Sequence, residues 1–411
     1  MLKNVYKILI ILVLAGQFLF QGISAPVLNT PLYLAMMIIL GALTVLAVIG
    51  SAKLKISAAD IAIWMLFLNI VIVSLITDKF DMGRILLILF SILFMYAIKS
   101  LAKDRENVRF LYIAYISIVL ISSVVAIAQF FGMGWSVRLW ELLHQGEKIE
   151  GAMDSSRFLG LASDILQLGY HASTAFIMTL FMDFKDKKWL RIVLLLIFGF
   201  AIIINNTRSA WIAAVVGLVI YLMTRPNSKT SKTMTVLSGL VIIFAVALVI
   251  METGFIEDTR FSEEDTGTTA RIPMLLTALN HCLNYPLGMG VYTPQPGLVV
   301  GADSAEYSVV LENTAHNLIG NCGAAYGIIG LVLMVVFYFF VFKNYKISET
   351  KFKGENNEYI IAAVCLIGLI INAFFHNSYM LNGELSSFLF FGVLLALPNV
   401  KKEEKALETE K

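Results

Sequence analysis

Apolar runs of about twenty residues recur along the chain with short polar connections between them, and about twelve are long enough to cross a bilayer as helices. Their limits are Tyr6 to Gly22, Pro31 to Gly50, Ser57 to Ile76, Met82 to Leu101, Val108 to Phe131 and Gly160 to Phe184. They continue with Trp189 to Ile204, Ser209 to Met223, Thr233 to Met251, Asn317 to Phe342, Tyr359 to Phe375 and Leu385 to Leu397. One stretch breaks this rhythm. From Glu252 to His316 the chain stays polar for roughly 65 residues, well past the ~12–15 at which a structureless connection becomes unusual, so this loop is a functional candidate. The pattern predicts an all-α integral membrane protein, one polytopic domain over residues 1–411. The segment 252–316 is its large outer loop, carrying short helices between the ninth and tenth spans.

Composition agrees. Of 411 residues, 58% are hydrophobic and 15% charged, and mean hydropathy is +0.81, whereas soluble domains carry about 25% charged residues. A net charge of +2 and the lack of any basic tract give no sign of nucleic acid. Cys282, Cys322 and Cys365 are odd in number and lack metal-ligand spacing, so neither a disulfide framework nor a zinc site is expected. At the N-terminus, Lys3 and Lys7 precede an apolar run, as in a signal peptide. Pro26 after Ser24-Ala25 disfavours cleavage, so this run is read as a retained first span.

Lys and Arg set the orientation. Placing the N-terminus inside puts most of the 31 cations on inner connections, and both termini in the cytoplasm. The outer segments then hold Lys79 and Lys148 with Arg84, Arg138, Arg157, Arg208, Arg260 and Arg271, an arginine-rich set facing a lysine-rich inner side. Guanidinium offers a planar fork that matches phosphate oxygens, while lysine suffices to hold topology. The outer face therefore suits a phosphorylated ligand, unless these arginines only pair with outer acids such as Glu147, Asp154 or Glu263.

Several residues stand out within this frame. Arg208, in Asn205-Asn206-Thr207-Arg208-Ser209-Ala210-Trp211, lies at the mouth of an almost wholly apolar helix that Thr207 can cap. A cation at the edge of hydrocarbon needs an anion or must snorkel, and helix amides beside it add to an anion site. Arg271 opens a short amphipathic helix with Pro273 in its first turn, ended by Asn284-Tyr285-Pro286. For Arg208 the competing reading is an interfacial anchor, and for Arg271 a surface salt bridge. His316 precedes the tenth span, where the helix dipole disfavours imidazolium by about 0.3–1 kcal/mol, the sign a neutral base needs. A structural histidine at a helix end is the alternative. His376-Asn377 ends the eleventh span, where the dipole favours the protonated form. His171, with Gln167 and Asp164 at i, i+3 and i+7 spacing, forms a polar stripe that reads as inter-helix hydrogen bonding or as a ligand-lined cavity. Asp60, about one turn from the inner boundary, reads as solvated. No Walker loop or dinucleotide glycine fingerprint occurs, so ATP and NAD are not implied, and no Gly-x-Ser-x-Gly elbow or HExxH suggests a serine hydrolase or zinc protease. Paired outer acids, Asp78 with Asp81 and Glu263-Glu264-Asp265, leave a metal site open but come with no histidine to support one.

These sites in order resemble the O-antigen ligase and Wzy-type polysaccharide polymerase superfamily of bacterial membrane glycosyltransferases (GT-C class). The resemblance rests on Thr207-Arg208-Ser209-Ala210-Trp211, on Arg271 with its helix and Pro286-Leu287-Gly288-Met289-Gly290, and on His316-Asn317-Leu318 running into Gly323, Gly327 and Gly330. It covers about Ile192 to Val341. Met274 and Leu275 depart from relatives that often carry an aromatic there. The resemblance implies metal-independent, inverting transfer of a glycan from undecaprenyl diphosphate to an acceptor hydroxyl, on the outer face of the bacterial cytoplasmic membrane. The acceptor is a glycan or glycolipid, in ligation or in polymerisation. Arg208 and Arg271 would bind the diphosphate and His316 would be the base, without a nucleotide sugar or other cofactor. From a different class, a lipid-linked oligosaccharide flippase or other transporter also needs about twelve helices and cations. Transporters, however, place coupling residues near mid-membrane, whereas these lie at the outer surface.

Overall fold

The computed structural model describes residues 2–19, 24–25, 30–51, 56–144, 157–164, 166–184, 187–224, 271–290, 317–349, 357–375 and 380–396. Apart from a two-residue antiparallel pairing of Ser24–Ala25 with Thr30–Pro31, the regular structure is helical, as hydrocarbon demands of a chain whose backbone must satisfy itself. In order, the helices are α1 (Leu2–Leu19), α2 (Leu32–Ser51), α3 (Ala58–Ile76), α4 (Met82–Leu101), α5 (Arg105–Phe130) and α6 (Gly134–Leu143). There follow α7 (Gln167–Phe181), α8 (Lys188–Asn205), α9 (Arg208–Thr224), α10 (Arg271–Asn284), α11 (Leu318–Glu349), α12 (Asn357–Phe374) and α13 (Leu385–Ala396). Among the described residues, α3, α4, α5, α8 and α11 are long and apolar enough to cross a membrane, and five shorter apolar helices accompany them. The span expected at Thr233 to Met251 lies outside the described residues.

Two compact units emerge. In the first, α7 packs against α8 and α9, and α5 lies along α7 and α8 and carries α1. Small residues allow the close approach, as is usual between membrane helices. A Cβ on Gly217 of α9, for example, would stand 2.4 Å from Ile177 Cγ1 of α7. Of the expected polar stripe, Asp164 precedes α7, and His171 serves inter-helix bonding: it is buried, with Nδ1 2.6 Å from Tyr115 Oη on α5 and its ring against Phe18 of α1.

The sixth expected span is shorter than its apolar run. Residues 157–164 are not helical, and α7 starts only at Gln167. Gly160 adopts φ 65°, and its backbone is held from both sides by the Gln129 amide of α5, N–H to Oε1 at 2.9 Å and Nε2 to O at 2.8 Å. Leu161 N donates to Ser122 Oγ, Trp140 Nε1 to Ala162 O, and Leu166 N to Asp164 Oδ1. Side chains, those of Gln129, Ser122 and Trp140 distant in sequence, thus satisfy backbone groups that a helix would have paired internally.

In the second unit α11 packs along α3, with α10 on α11 and α4 beside α3. Asp60 corrects the expectation of a solvated carboxylate, for it is 2% exposed. It closes a capping box with Ser57 and receives Lys99 Nζ of α4 on both oxygens, at 2.8 and 2.7 Å. The partner lies 39 residues away on the next helix, out of reach of local patterning. Removing one partner strands a buried charge, so Lys99→Ala is expected to lower stability by about 3–5 kcal/mol, and an apolar replacement of both by far less. Denaturant unfolding in detergent, read by tryptophan fluorescence, checks this.

Candidate active site

In the first unit the α8–α9 turn is built to hold one shape. Asn206 caps α8 in the left-handed region, at φ 52° and ψ 38°. Asn205 is fully buried. Its Nδ2 donates to Phe158 O at 3.0 Å, and its Oδ1 accepts from Thr207 Oγ1 at 2.6 Å. Thr207 thus spends its hydroxyl proton on Asn205, while its carbonyl receives the first helical amides, Ala210 N and Trp211 N. Trp211 Nε1 reaches back to Ile202 O. Gly169 of α7 makes room for the turn, since a Cβ there would meet Asn205 Oδ1 at 2.4 Å. Arg208, half-buried, is the first residue of α9. Beside it Ser209 is 3% exposed, and its hydroxyl has no hydrogen-bond partner among the described residues.

In the second unit Arg271 is the first residue of α10, and the helix ends at Asn284 as expected. The Pro286–Gly290 turn then engages a break in α11 at Gly327, where φ is 68° and ψ −173°. Ile328 N donates to Pro286 O at 3.0 Å, Met289 N to Ala324 O at 3.0 Å and Gly290 N to Ala325 O at 2.9 Å. Turn and break thereby satisfy each other's backbone. Only glycine fits this crossing. Gly288 and Gly327 both have positive φ, and Cβ atoms there would stand 2.5 Å from Ala325 O and 2.1 Å from Pro286 O. Above the break, α11 begins at Leu318 behind Asn317, whose Oδ1 accepts from Ile319 N and Gly320 N at 2.9 and 3.2 Å. Asn317 is therefore an N-cap. Its Nδ2 also donates to Phe374 O at the end of α12, at 2.8 Å.

At the end of α10, His281 Nδ1 lies 2.9 Å from Met289 Sδ of the turn, and its ring stacks on Tyr285. Burial holds this imidazole below its usual pKa and pushes the neighbouring Cys282 thiol up. Both are thereby biased toward their uncharged forms, as fits packing and not acid–base work.

Of the residues singled out from sequence, Arg208 and Arg271 each open a helix. The side chain of Arg271, His316 itself and the pair His376-Asn377 lie outside the described residues. Among the described residues no group of three His, Cys, Asp or Glu is arranged to hold a metal ion. Gln129 and Asn69 escaped the sequence reading, and so did the contacts that Asn205, Lys79 and Asn317 make. Each acts through a backbone group of another element, and only Asn317, an Asn directly before an apolar run, carried a local signal.

A family model described as O-antigen ligase matches residues 192–335, from within α8 into α11, and the matched stretch contains Arg208, Arg271 and His316. No curated protein matches the chain. All three singled-out positions fall inside the matched stretch, so about a third of the chain, in a helical membrane architecture, is similar to the O-antigen ligase family.

Proposed function

We propose that this protein is a bacterial membrane glycosyltransferase moving a glycan from undecaprenyl diphosphate to an acceptor hydroxyl on the outer face of the cytoplasmic membrane, by inversion and without a metal. One observation carries the reading: Arg208 and Arg271 each stand at the first residue of a helix, and His316 immediately precedes the N-cap of a third. Helix starts present unpaired amides and partial positive charge. That environment suits a diphosphate beside guanidinium and disfavours protonation of a neighbouring imidazole.

The chemistry follows from these roles. The acceptor O–H gives its proton to His316 as its oxygen attacks the anomeric carbon. The carbon–oxygen bond to the diphosphate breaks, and the leaving group departs with the electron pair. Arg208 and Arg271 meet the charge that grows on it, stabilisation of a kind often worth the most in such reactions. Ser209, whose hydroxyl has no partner among the described residues, offers a further donor beside Arg208. Attack opposite the leaving group inverts the anomeric centre.

The test is transfer by purified protein in liposomes, supplied with a polyprenyl-diphosphate oligosaccharide and a glycan or glycolipid acceptor. Product is expected with the anomeric configuration reversed, as read by NMR, and at an unchanged rate in chelator. Loss of activity in chelator, restored by a divalent ion, would assign the charge stabilisation to a metal instead.

A further inference from the structure

The second unit contains a fastening made from α3, outside the matched stretch, that the proposed chemistry does not use. α3 ends in a Schellman-type cap: Asp78 takes φ 54°, its N–H bonds Leu75 O, and Lys79 N–H bonds Ser74 O at 3.0 Å. This pins the Lys79 backbone. From there its ammonium donates to Met289 O at 2.9 Å, across 210 residues of sequence. Two turns back on α3, Asn69 Nδ2 donates to Tyr326 O at 3.1 Å, on the residue just before the Gly327 break. Gly290 completes the contact, since a Cβ there would lie 2.2 Å from Thr77 Oγ1.

The end of α3 therefore holds both halves of the crossing in which the Pro286–Gly290 turn meets the broken α11. That crossing joins α10 to the first two turns of α11. One of these elements starts at Arg271, the other at Leu318, two residues after His316. Any slack at the crossing changes the relation between these two starts, and a misplacement of about 1 Å can cost about 10²-fold in rate.

We propose that Lys79 is a positioning residue for glycan transfer, acting through Met289 O to fix α10 against the start of α11. This rests on the reading of the protein as a glycosyltransferase that uses Arg271 and His316. Lys79 does not need to touch the donor. Its ammonium is committed to a carbonyl of the turn, and its stem is fixed by the α3 cap.

Steady-state transfer and amide hydrogen exchange on Lys79→Met and Lys79→Arg, both in liposomes, test the proposal. In Lys79→Met the kcat is expected to fall by about 10- to 100-fold with donor KM within about threefold of wild type. The Met289 and Gly290 amides should exchange faster, and Lys79→Arg should restore most of both. Unchanged kcat in Lys79→Met overturns the proposal, whether or not exchange quickens. A raised donor KM with kcat retained also overturns it, making Lys79 a direct donor contact. Unchanged exchange with lowered kcat overturns the route through the turn. Wild-type protein that transfers nothing would overturn the glycosyltransferase reading and the positioning role with it, while exchange would still report whether Lys79 fastens the turn.

Discussion

His316→Ala is expected to lose about 10²–10⁴-fold in glycan transfer, the usual contribution of a positioned general base, with expression and membrane insertion intact. The acceptor hydroxyl is a poor nucleophile until its proton is taken, and among the groups assigned to the reaction only His316 is suited to take it. The loss should appear in kcat and kcat/KM alike, because the proton moves only in the transition state. His316→Gln preserves hydrogen bonding without basicity and should be nearly as inactive. Quantifying polymer or ligated product in a deletion strain complemented with each variant, with immunoblotting for protein level, decides the matter. Normal product from His316→Ala would remove the residue from the mechanism.

Arg208→Lys is the second large effect. The substitution keeps the charge and takes away the planar fork. If Arg208 grips two oxygens of the diphosphate, a lysine there loses one charge-assisted hydrogen bond, worth about 1.5–3 kcal/mol, or about 10- to 100-fold in rate. An arginine that merely anchors α9 at the membrane surface would be replaced by lysine without loss. The α8–α9 turn itself should survive, because Asn205, Asn206 and Thr207 hold its shape. Circular dichroism and melting temperature should therefore match wild type. Transfer at the wild-type rate with Lys at this position would establish that charge alone is enough.

What was legible in advance followed from local physics. Long apolar runs announced helices, and Asn284-Tyr285-Pro286 ended α10 where it does end. Arg208 and Arg271 fell at helix starts, as capping and proline placement suggested. What was not legible depended on partners far along the chain. The run from Gly160 read as membrane helix because its residues are apolar, yet Gln129 and Ser122 take its backbone bonds. Asp60 read as solvated because hydropathy does not see Lys99 on the next helix. The break in α11 needed the Pro286–Gly290 turn to occupy the freed carbonyls, a pairing no local window contains. Gly327 was visible as a motif glycine, but its backbone conformation was not.

The buried pair of Asp60 and Lys99 also bears on how the chain enters the bilayer. A lone carboxylate or ammonium costs roughly 2.5–3.5 kcal/mol at a helix centre during translocon insertion, and less toward the boundary. α3 is made first and carries Asp60 with no counter-ion until α4 arrives. Only the short connection Thr77–Asp81 separates the two helices. Insertion as a helical hairpin, with the charges already neutralising one another, is the cheaper route, and a longer linker at that point would slow biogenesis before it affected the finished protein.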